Sequence, residues 1–194
     1  MAVIRILIAE DNDLVSLTLE EQLKGLGYDV VGIARNGNEA IALANRLKPD
    51  LIMMDIRMPE MEGTEAAARI HDQMAVPIIM LTAYADKETV RKAEAAGALA
   101  YLVKPVSEVE LPPAITIALA RFHEIQGLRT HVNELEDSLE ARKLIERAKG
   151  ILMQRLGLNE RDAYERLRQR ARDKRTKMKD IAQAIIEAEE LLGS

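Results

Sequence analysis

Four polar positions carry the side chains in this sequence that could do chemistry together. Each comes at the end of a short apolar run, and in chain order they are Glu10-Asp11, Asp55, Thr82 and Lys104-Pro105. Carboxylates that lie close together repel one another and need a cation, and Mg²⁺ prefers hard oxygen ligands. A carboxylate beside Mg²⁺ can attack a phosphoryl donor and form an acyl phosphate. These residue types therefore predict a phosphoryl-transfer site, provided that the fold brings them together.

The acidic residues have separate predicted roles at such a site. Asp55 is the expected nucleophile, and its carboxylate is also expected to contact the metal. Asp11 is expected to bind Mg²⁺ directly and Glu10 to bind it through water. The backbone carbonyl of Arg57 is expected to add another oxygen ligand.

The remaining polar groups are expected to contact the transferred phosphoryl group. Lys104 would pair with it, and the Thr82 hydroxyl would bond one of its oxygens. Lys104-Pro105 is also a candidate cis peptide bond that would direct the lysine inward. An acid or a threonine after a strand is by itself more often a helix cap, so the prediction depends on the joint arrangement.

Five apolar runs must provide the strands that position these groups. They show little alternation, which is typical of strands buried on both faces, and they lie at 3–8, 30–34, 51–54, 78–81 and 100–103. Helical patterns separate or follow them at about 14–26, 37–47, 64–74, 87–96 and from 111. This alternation predicts an open parallel sheet with helices on both sides, whose ligand-binding edge lies at the carboxyl ends of the strands.

Two helices carry more specific expectations. The pattern at 14–26 places Leu14, Leu17 and Leu23 on one apolar face. Pro112-Pro113 fits the first turn of a helix but not its interior, so the helix predicted from about 111 is expected to begin late.

Four stretches of the first two-thirds of the chain carry a family resemblance. They read ILIAED (6–11), DLIMMDIRMPEMEG (50–63), LTA (81–83) and AGALAYLVKP (96–105). Through them residues 4–121 resemble the receiver domain of two-component response regulators, with Glu10 where Asp is commoner. The resemblance implies a flavodoxin-like fold with strand order 2-1-3-4-5 and phosphorylation by a sensor histidine kinase. It also implies that Thr82 and Tyr101 act as a switch pair, in a regulator rather than an enzyme.

Composition limits the other classes of function. The 194 residues suffice for one domain and a smaller second one, and the net charge is −5. The absence of cysteine excludes disulfides and thiol catalysis, and a cytoplasmic location is compatible with it. No apolar run approaches 18 residues, so no membrane partner is expected. Residues 161–179 hold nine Lys/Arg against three Asp/Glu, which indicates a second task for the end of the chain.

An apolar seam follows the first domain, with heptad spacing at Ile125, Leu128, Val132, Leu135 and Leu139. Two heptads are too short for an independent coiled coil, so the seam either packs on its own domain or supports a phosphorylation-dependent homodimer. The predicted organisation is a receiver at 1–121, a helical linker at 122–140 and an output domain at 141–194.

The output domain contains two further helical patterns, at about 160–173 and 178–192. Basic side chains together with an aromatic ring could contact phosphates and stack on an unpaired base. Arg168 and Arg172 lie one turn apart and can share a face, although a solvated charged face would look the same. For Tyr164 alone, packing in the core is the more ordinary role.

A second resemblance is carried by Arg142, Ile145, AKG (148–150), Leu152-Met153, Ala163-Tyr164, Leu167-Arg168, Ala171 and DIA (180–182). Residues 138–189 are similar to the ANTAR domain of transcription antiterminators. This implies a three-helix unit that binds paired RNA hairpin loops overlapping a terminator. The candidate RNA-binding residues are Arg142, Lys149, Tyr164, Arg168, Arg172 and Lys177.

Three other functions remain open for the whole chain. The tail could be a DNA-binding domain of helix-turn-helix type, although no recognition helix is evident. It could instead bind only protein, as a signalling adaptor. The aspartate pocket could also belong to a phosphohydrolase, but Arg57 stands where a second acid would be needed two residues beyond Asp55.

Overall fold

A computed structural model describes residues 3–83, Arg91 and 97–192. The helix predicted at 87–96 lies outside the described residues, except for Arg91, which is helical. Internal contacts divide the chain into two compact units, Met1–Gln126 and Gly127–Ser194. In the part of the chain that is described, no helix has both the length and the apolar character needed to span a membrane.

Five parallel strands form the sheet of the first unit. They are β1 (Arg5–Ala9), β2 (Asp29–Ala34), β3 (Leu51–Asp55), β4 (Ile78–Thr82) and β5 (Ala100–Val103). Their order is β2-β1-β3-β4-β5, which confirms the predicted topology. Every residue of β3 and β4 is buried, as expected for central strands covered on both faces.

Three helices, α1 (Asp13–Gly25), α2 (Gly37–Leu47) and α3 (Gly63–Gln73), pack on this sheet. Alternate strand residues feed two cores, because successive side chains in a strand point to opposite faces. Leu7 and Met54 join the core formed with α2 and α3, whereas Ile8 and Met53 join the core formed with α1.

The buried side of α1 differs from the prediction. Leu14 is 75% exposed and Leu17 is 54% exposed, whereas Ser16, Leu19 and Leu23 face the core. Ser16 can be buried because its hydroxyl donates to the carbonyl of Asp13, 3.0 Å away.

The longest helix, α4 (Leu111–Leu156), follows a short 3-10 turn at Glu108–Glu110. It does not begin late, so that prediction was wrong. Pro112 and Pro113 occupy its second and third positions, where a backbone N–H would have no partner within the helix.

The second unit is all-α, as predicted. The end of α4 packs against α5 (Glu160–Lys174) and α6 (Met178–Leu192) around a small core. The fully buried members of that core include Ala148, Leu167 and Ala182. The side chain of Asn159 caps α5 by accepting from the N–H of Asp162.

The register of the sheet brings the predicted site residues to one edge. Ala9 pairs with Met54, Asp55 with Leu81, and Thr82 with Val103. The residues that end or follow these strands therefore lie side by side, although the chain separates them widely.

Gly63 supports this edge from behind. The first residue of α3, it donates its N–H to the carbonyl of Ile56 at 2.9 Å. A Cβ at this position would overlap the carbonyl oxygen of Asp55 and lie 2.9 Å from its carbonyl carbon. Only glycine therefore allows the start of α3 to pack so closely against the end of β3.

Replacing Gly63 by alanine is expected to lower the free energy of unfolding by about 1–3 kcal/mol, because the backbone must move to remove the overlap. Urea denaturation followed by circular dichroism measures this change. Gly25→Ala is the matched control, since a Cβ there would meet only Glu108 Oε1 at 4.0 Å. Equal stability of the two variants would contradict the packing argument.

Candidate functional site

Three carboxylates gather at the carboxyl edge of the sheet. Glu10, Asp11 and Asp55 each offer an oxygen, and these oxygens lie within 4.8 Å of one another. Glu10 and Asp55 are 1% and 6% exposed, whereas Asp11 is exposed to solvent. Hard oxygen ligands in such a group fit Mg²⁺, and a divalent cation would offset their repulsion.

Lys104 bridges two of these carboxylates. Its Nζ donates to Glu10 Oε2 and to Asp55 Oδ2, both at 2.6 Å. The lysine follows β5, where its backbone N–H donates to the carbonyl of Thr82, and the Lys104-Pro105 peptide bond is cis. Residues that end or follow β1, β3 and β5 thus meet in one pocket.

The charges in this pocket do not balance. Burial raises the pKa of Glu10 above its usual value, against the hydrogen bond from Lys104, and the negative charge of Asp55 adds to the rise. Burial also opposes the charged form of Lys104, but its hydrogen bonds with Asp55 and Glu10 outweigh that effect and raise its pKa. The pocket therefore keeps Lys104 charged, and it disfavours the charged form of Glu10.

The other predicted residues of the receiver are Arg57, Thr82 and Tyr101. The N–H of Arg57 donates to Asp55 Oδ1 at 3.3 Å, while the Arg57 side chain is exposed. Thr82 ends β4 and is buried. Tyr101 lies in β5 with 46% of its surface exposed, so its ring is outside the core.

The second unit places its predicted residues on different elements. Arg142 and Lys149 lie on α4, three others lie on α5, and Lys177 precedes α6. All are exposed except Lys149, whose side chain is only 8% exposed. Burial of this lysine was not expected from the sequence.

The ammonium of Lys149 is paired with two carboxylates. It donates to both oxygens of Glu146 at 3.0 Å and to Glu160 Oε1 at 2.7 Å. These hydrogen bonds, with that to Glu160 the stronger, raise the pKa of Lys149. The same bond lowers the pKa of Glu160, so both groups are charged at neutral pH.

Four residues share one face of α5: Arg161, Tyr164, Arg168 and Arg172. We call this face the basic stripe. Their spacing of three or four residues places them on one side of the helix, next to the buried Ala163, Leu167 and Ala171. Arg161 was missed by the sequence reasoning. Its position three residues before Tyr164 is the signal that could have identified it.

The sheet order and the acidic edge are those of a receiver domain, and family comparisons agree. The response regulator receiver domain matches residues 6–116, and the ANTAR domain matches residues 133–186. The chain therefore belongs to the response regulators that join a receiver domain to an ANTAR domain. Members of this family are regulators.

Similar proteins match most of the chain or the receiver alone. Transcriptional regulatory protein PdtaR of Mycobacterium tuberculosis is 46% identical over 183 residues, which cover 94% of this chain and 89% of PdtaR. Transcriptional regulatory protein LnrK of Bacillus subtilis is 32% identical over 186 residues, and the match covers 84% of this chain and 82% of LnrK. The signal receiver domain of a modulated diguanylate cyclase from Desulfovibrio desulfuricans G20 superposes with a TM-score of 0.59 at 37% identity, over 63% of this chain and 98% of that one.

Glu10→Gln is expected to stabilise the protein in the absence of divalent cations, increasingly so as the pH rises. The pKa of Glu10 in the folded protein is raised above its usual value of 4.5. The protonated carboxyl of Glu10 therefore stabilises the fold fully below pH 4.5, and this stabilisation is lost as the pH rises through the pKa of the folded state. The neutral amide removes this loss and can still accept from Lys104.

Urea denaturation between pH 4 and pH 8 in a chelating buffer measures the difference from the native protein. The exposed Glu21→Gln variant serves as the control for loss of one charge. A Glu10→Gln protein that is less stable than the native one at pH 7 would contradict this account of the pocket.

Proposed function

We propose that this response regulator is switched by phosphorylation of Asp55 and that its C-terminal domain binds RNA hairpins to promote transcription antitermination. The observation that carries the first part is the pairing of Lys104 Nζ with Asp55 Oδ2 at 2.6 Å beside two further carboxylates. The regulator would act in the cytoplasm, where a kinase can phosphorylate it and nascent RNA is within reach.

In the proposed reaction an oxygen of Asp55 attacks the phosphorus of a phosphohistidine. The bond from phosphorus to the histidine nitrogen breaks as the new bond to Asp55 forms. Asp11, Asp55 and the Arg57 carbonyl would hold Mg²⁺, with Glu10 acting through water, and the cation would neutralise charge on the phosphoryl oxygens.

Lys104 connects this reaction to the rest of the receiver. Once Asp55 carries a phosphoryl group, the ammonium can move from the carboxylate to a phosphoryl oxygen. The hydroxyl of Thr82 would bond a second phosphoryl oxygen, and Tyr101, now 46% exposed, would turn inward behind it. The proposed switch pair thus lies on the adjacent strands β4 and β5.

The phosphodonor needs a docking surface beside Asp55. Leu14 and Leu17 on α1 are exposed, and an apolar groove of about 450 Å³ runs from Leu14 to Lys104 and Val106. Exposed apolar area of this kind marks a protein interaction site. We assign it to the sensor histidine kinase, because a carrier bound there would lie beside the pocket.

The RNA part of the proposal depends on the basic stripe and assigns RNA binding to 141–194. Tyr164 is 41% exposed, so its ring is available for stacking on an unpaired base. The arginines before and after it in the stripe can contact phosphates on either side. Arg142 and Lys177, both exposed, would extend the phosphate contacts.

The apolar seam supports a phosphorylation-dependent homodimer through the linker at 122–140. All five seam residues are between 38% and 65% exposed: Ile125, Leu128, Val132, Leu135 and Leu139. A seam with heptad spacing on a helical surface is covered well by a second copy of itself. Two ANTAR domains would then be available for paired hairpin loops.

Incubation with acetyl phosphate and Mg²⁺ is expected to add one phosphoryl group to the native protein and none to Asp55→Asn. The amide cannot act as the nucleophile, and intact mass spectrometry detects the adduct. Asp72→Asn, at an exposed position on α3, is the control and should be modified like the native protein. An unmodified native protein would exclude Asp55 as a phosphoacceptor.

Arg168→Met is expected to weaken binding of a terminator-overlapping hairpin RNA and to reduce the slope of log K against log salt by roughly 0.7–1, the value for one lost phosphate contact. Arg166→Met is the matched control, since Arg166 is exposed on the opposite flank of α5. Fluorescence anisotropy across a salt series measures both, with duplex DNA as a second ligand. Tighter binding to DNA, or equal loss in the two variants, would count against the RNA interface.

A further inference from the structure

A cavity of about 570 Å³ opens beside the basic stripe in the C-terminal unit. It is lined by Lys149, Asn159, Glu160, Arg161 and Tyr164. Two cations and a half-exposed aromatic ring are groups that bind a phosphate and stack on a base. Glu160 is the one anion among these lining residues, and its carboxylate forms an ion pair with the ammonium of Lys149.

Lys149 is a cation built into the fold, with partners that can be exchanged. Its side chain is 8% exposed, but Glu146 and Glu160 are 59% and 72% exposed. Both glutamates are surface side chains and could swing away without opening the core. Another anion could therefore replace Glu160 and leave the buried ammonium still paired, which avoids the cost of an uncompensated buried charge.

The residue after Lys149 is Gly150. It lies inside α4, where glycine is unfavourable relative to alanine. A Cβ there would meet nothing within 4 Å, so no contact within the described chain requires the glycine. Gly150 follows Lys149 in the chain and is not itself part of the cavity lining, but its exposed helix backbone, bare of a side chain, is suited to a ligand that approaches closely.

We propose that this cavity is the subsite for one unpaired nucleotide of the bound RNA. A backbone phosphate takes the place of the Glu160 carboxylate on Lys149, and Arg161 contacts the same strand. The base stacks on Tyr164 and the sugar-phosphate backbone passes over Gly150. The inference rests on the proposed RNA binding and adds to it a defined site and an internal competitor, Glu160.

The competitor can be removed without touching a cation. In the full-length chain, Glu160→Gln is expected to bind a hairpin with an unpaired loop about two- to fivefold more tightly than the native protein, the range for loss of an exposed ion pair. Glu190→Gln is the matched control, because Glu190 is 59% exposed and pairs with Arg147 on α4 at 2.8 Å. Glu190→Gln should change the affinity for RNA less than Glu160→Gln does, because it removes one negative charge but frees no cation in the cavity.

Gly150→Ala tests the close approach of the backbone. Alanine is expected to raise the thermal unfolding midpoint by about 2–4 °C and to weaken binding of the looped hairpin severalfold. Gly127→Ala is its control, because Gly127 also lies inside α4 with nothing within 4 Å of an added Cβ. That variant should gain stability and keep its affinity.

Fluorescence anisotropy with the looped hairpin and with a fully paired RNA of equal length distinguishes the outcomes. Gains or losses confined to the looped RNA support the nucleotide subsite. If the native protein binds the looped hairpin but Glu160→Gln matches Glu190→Gln and Gly150→Ala matches Gly127→Ala, the subsite is wrong and the RNA function stands. A native protein that binds neither RNA would overturn both.

Discussion

The ammonium of Lys104 lies between two buried carboxylates, 2.6 Å from Glu10 and 2.6 Å from Asp55, and the receiver depends on this contact. Two anions at the buried ends of neighbouring strands would otherwise face each other where water cannot screen them. The lysine also ties the segment after β5 to β1 and β3. A change of charge at Asp55 would therefore be felt directly by a residue 49 positions away in the chain.

The second unit also has a lysine paired with two carboxylates, but these carboxylates are more exposed to solvent. Lys149 also bridges carboxylates from separate segments, but Glu160 is mostly exposed whereas Glu10 is buried. A buried partner resists replacement because it cannot swing out into water without opening the core, and its removal would leave the buried ammonium uncompensated. An exposed partner gives up little on leaving, so an incoming anion can compete with it. One arrangement thus suits a fixed reaction site, and the other suits an exchangeable contact with a ligand.

Much of the receiver could be predicted because its central strands are buried on both faces and read as uninterrupted apolar runs. The polar residues that end those runs then had to converge, and Glu10, Asp55 and Lys104 do. Helix faces were harder, since the leucines of α1 fit two faces and only the position of the sheet selects Leu19. Lys149 is paired with Glu160 on the following helix, a tertiary contact that periodicity cannot reveal.

The two prolines at the start of α4 have a consequence for movement. Their φ angles are fixed near the helical value, so the first turn of α4 forms at low entropic cost and resists unwinding. The helix begins at Leu111 and Lys104 lies seven positions earlier. A displacement of Lys104 that left α4 in place would then be taken up by the short segment that includes the 3-10 turn. The segment before the helix would then change its conformation, while Leu111 would stay in place as the first residue of α4.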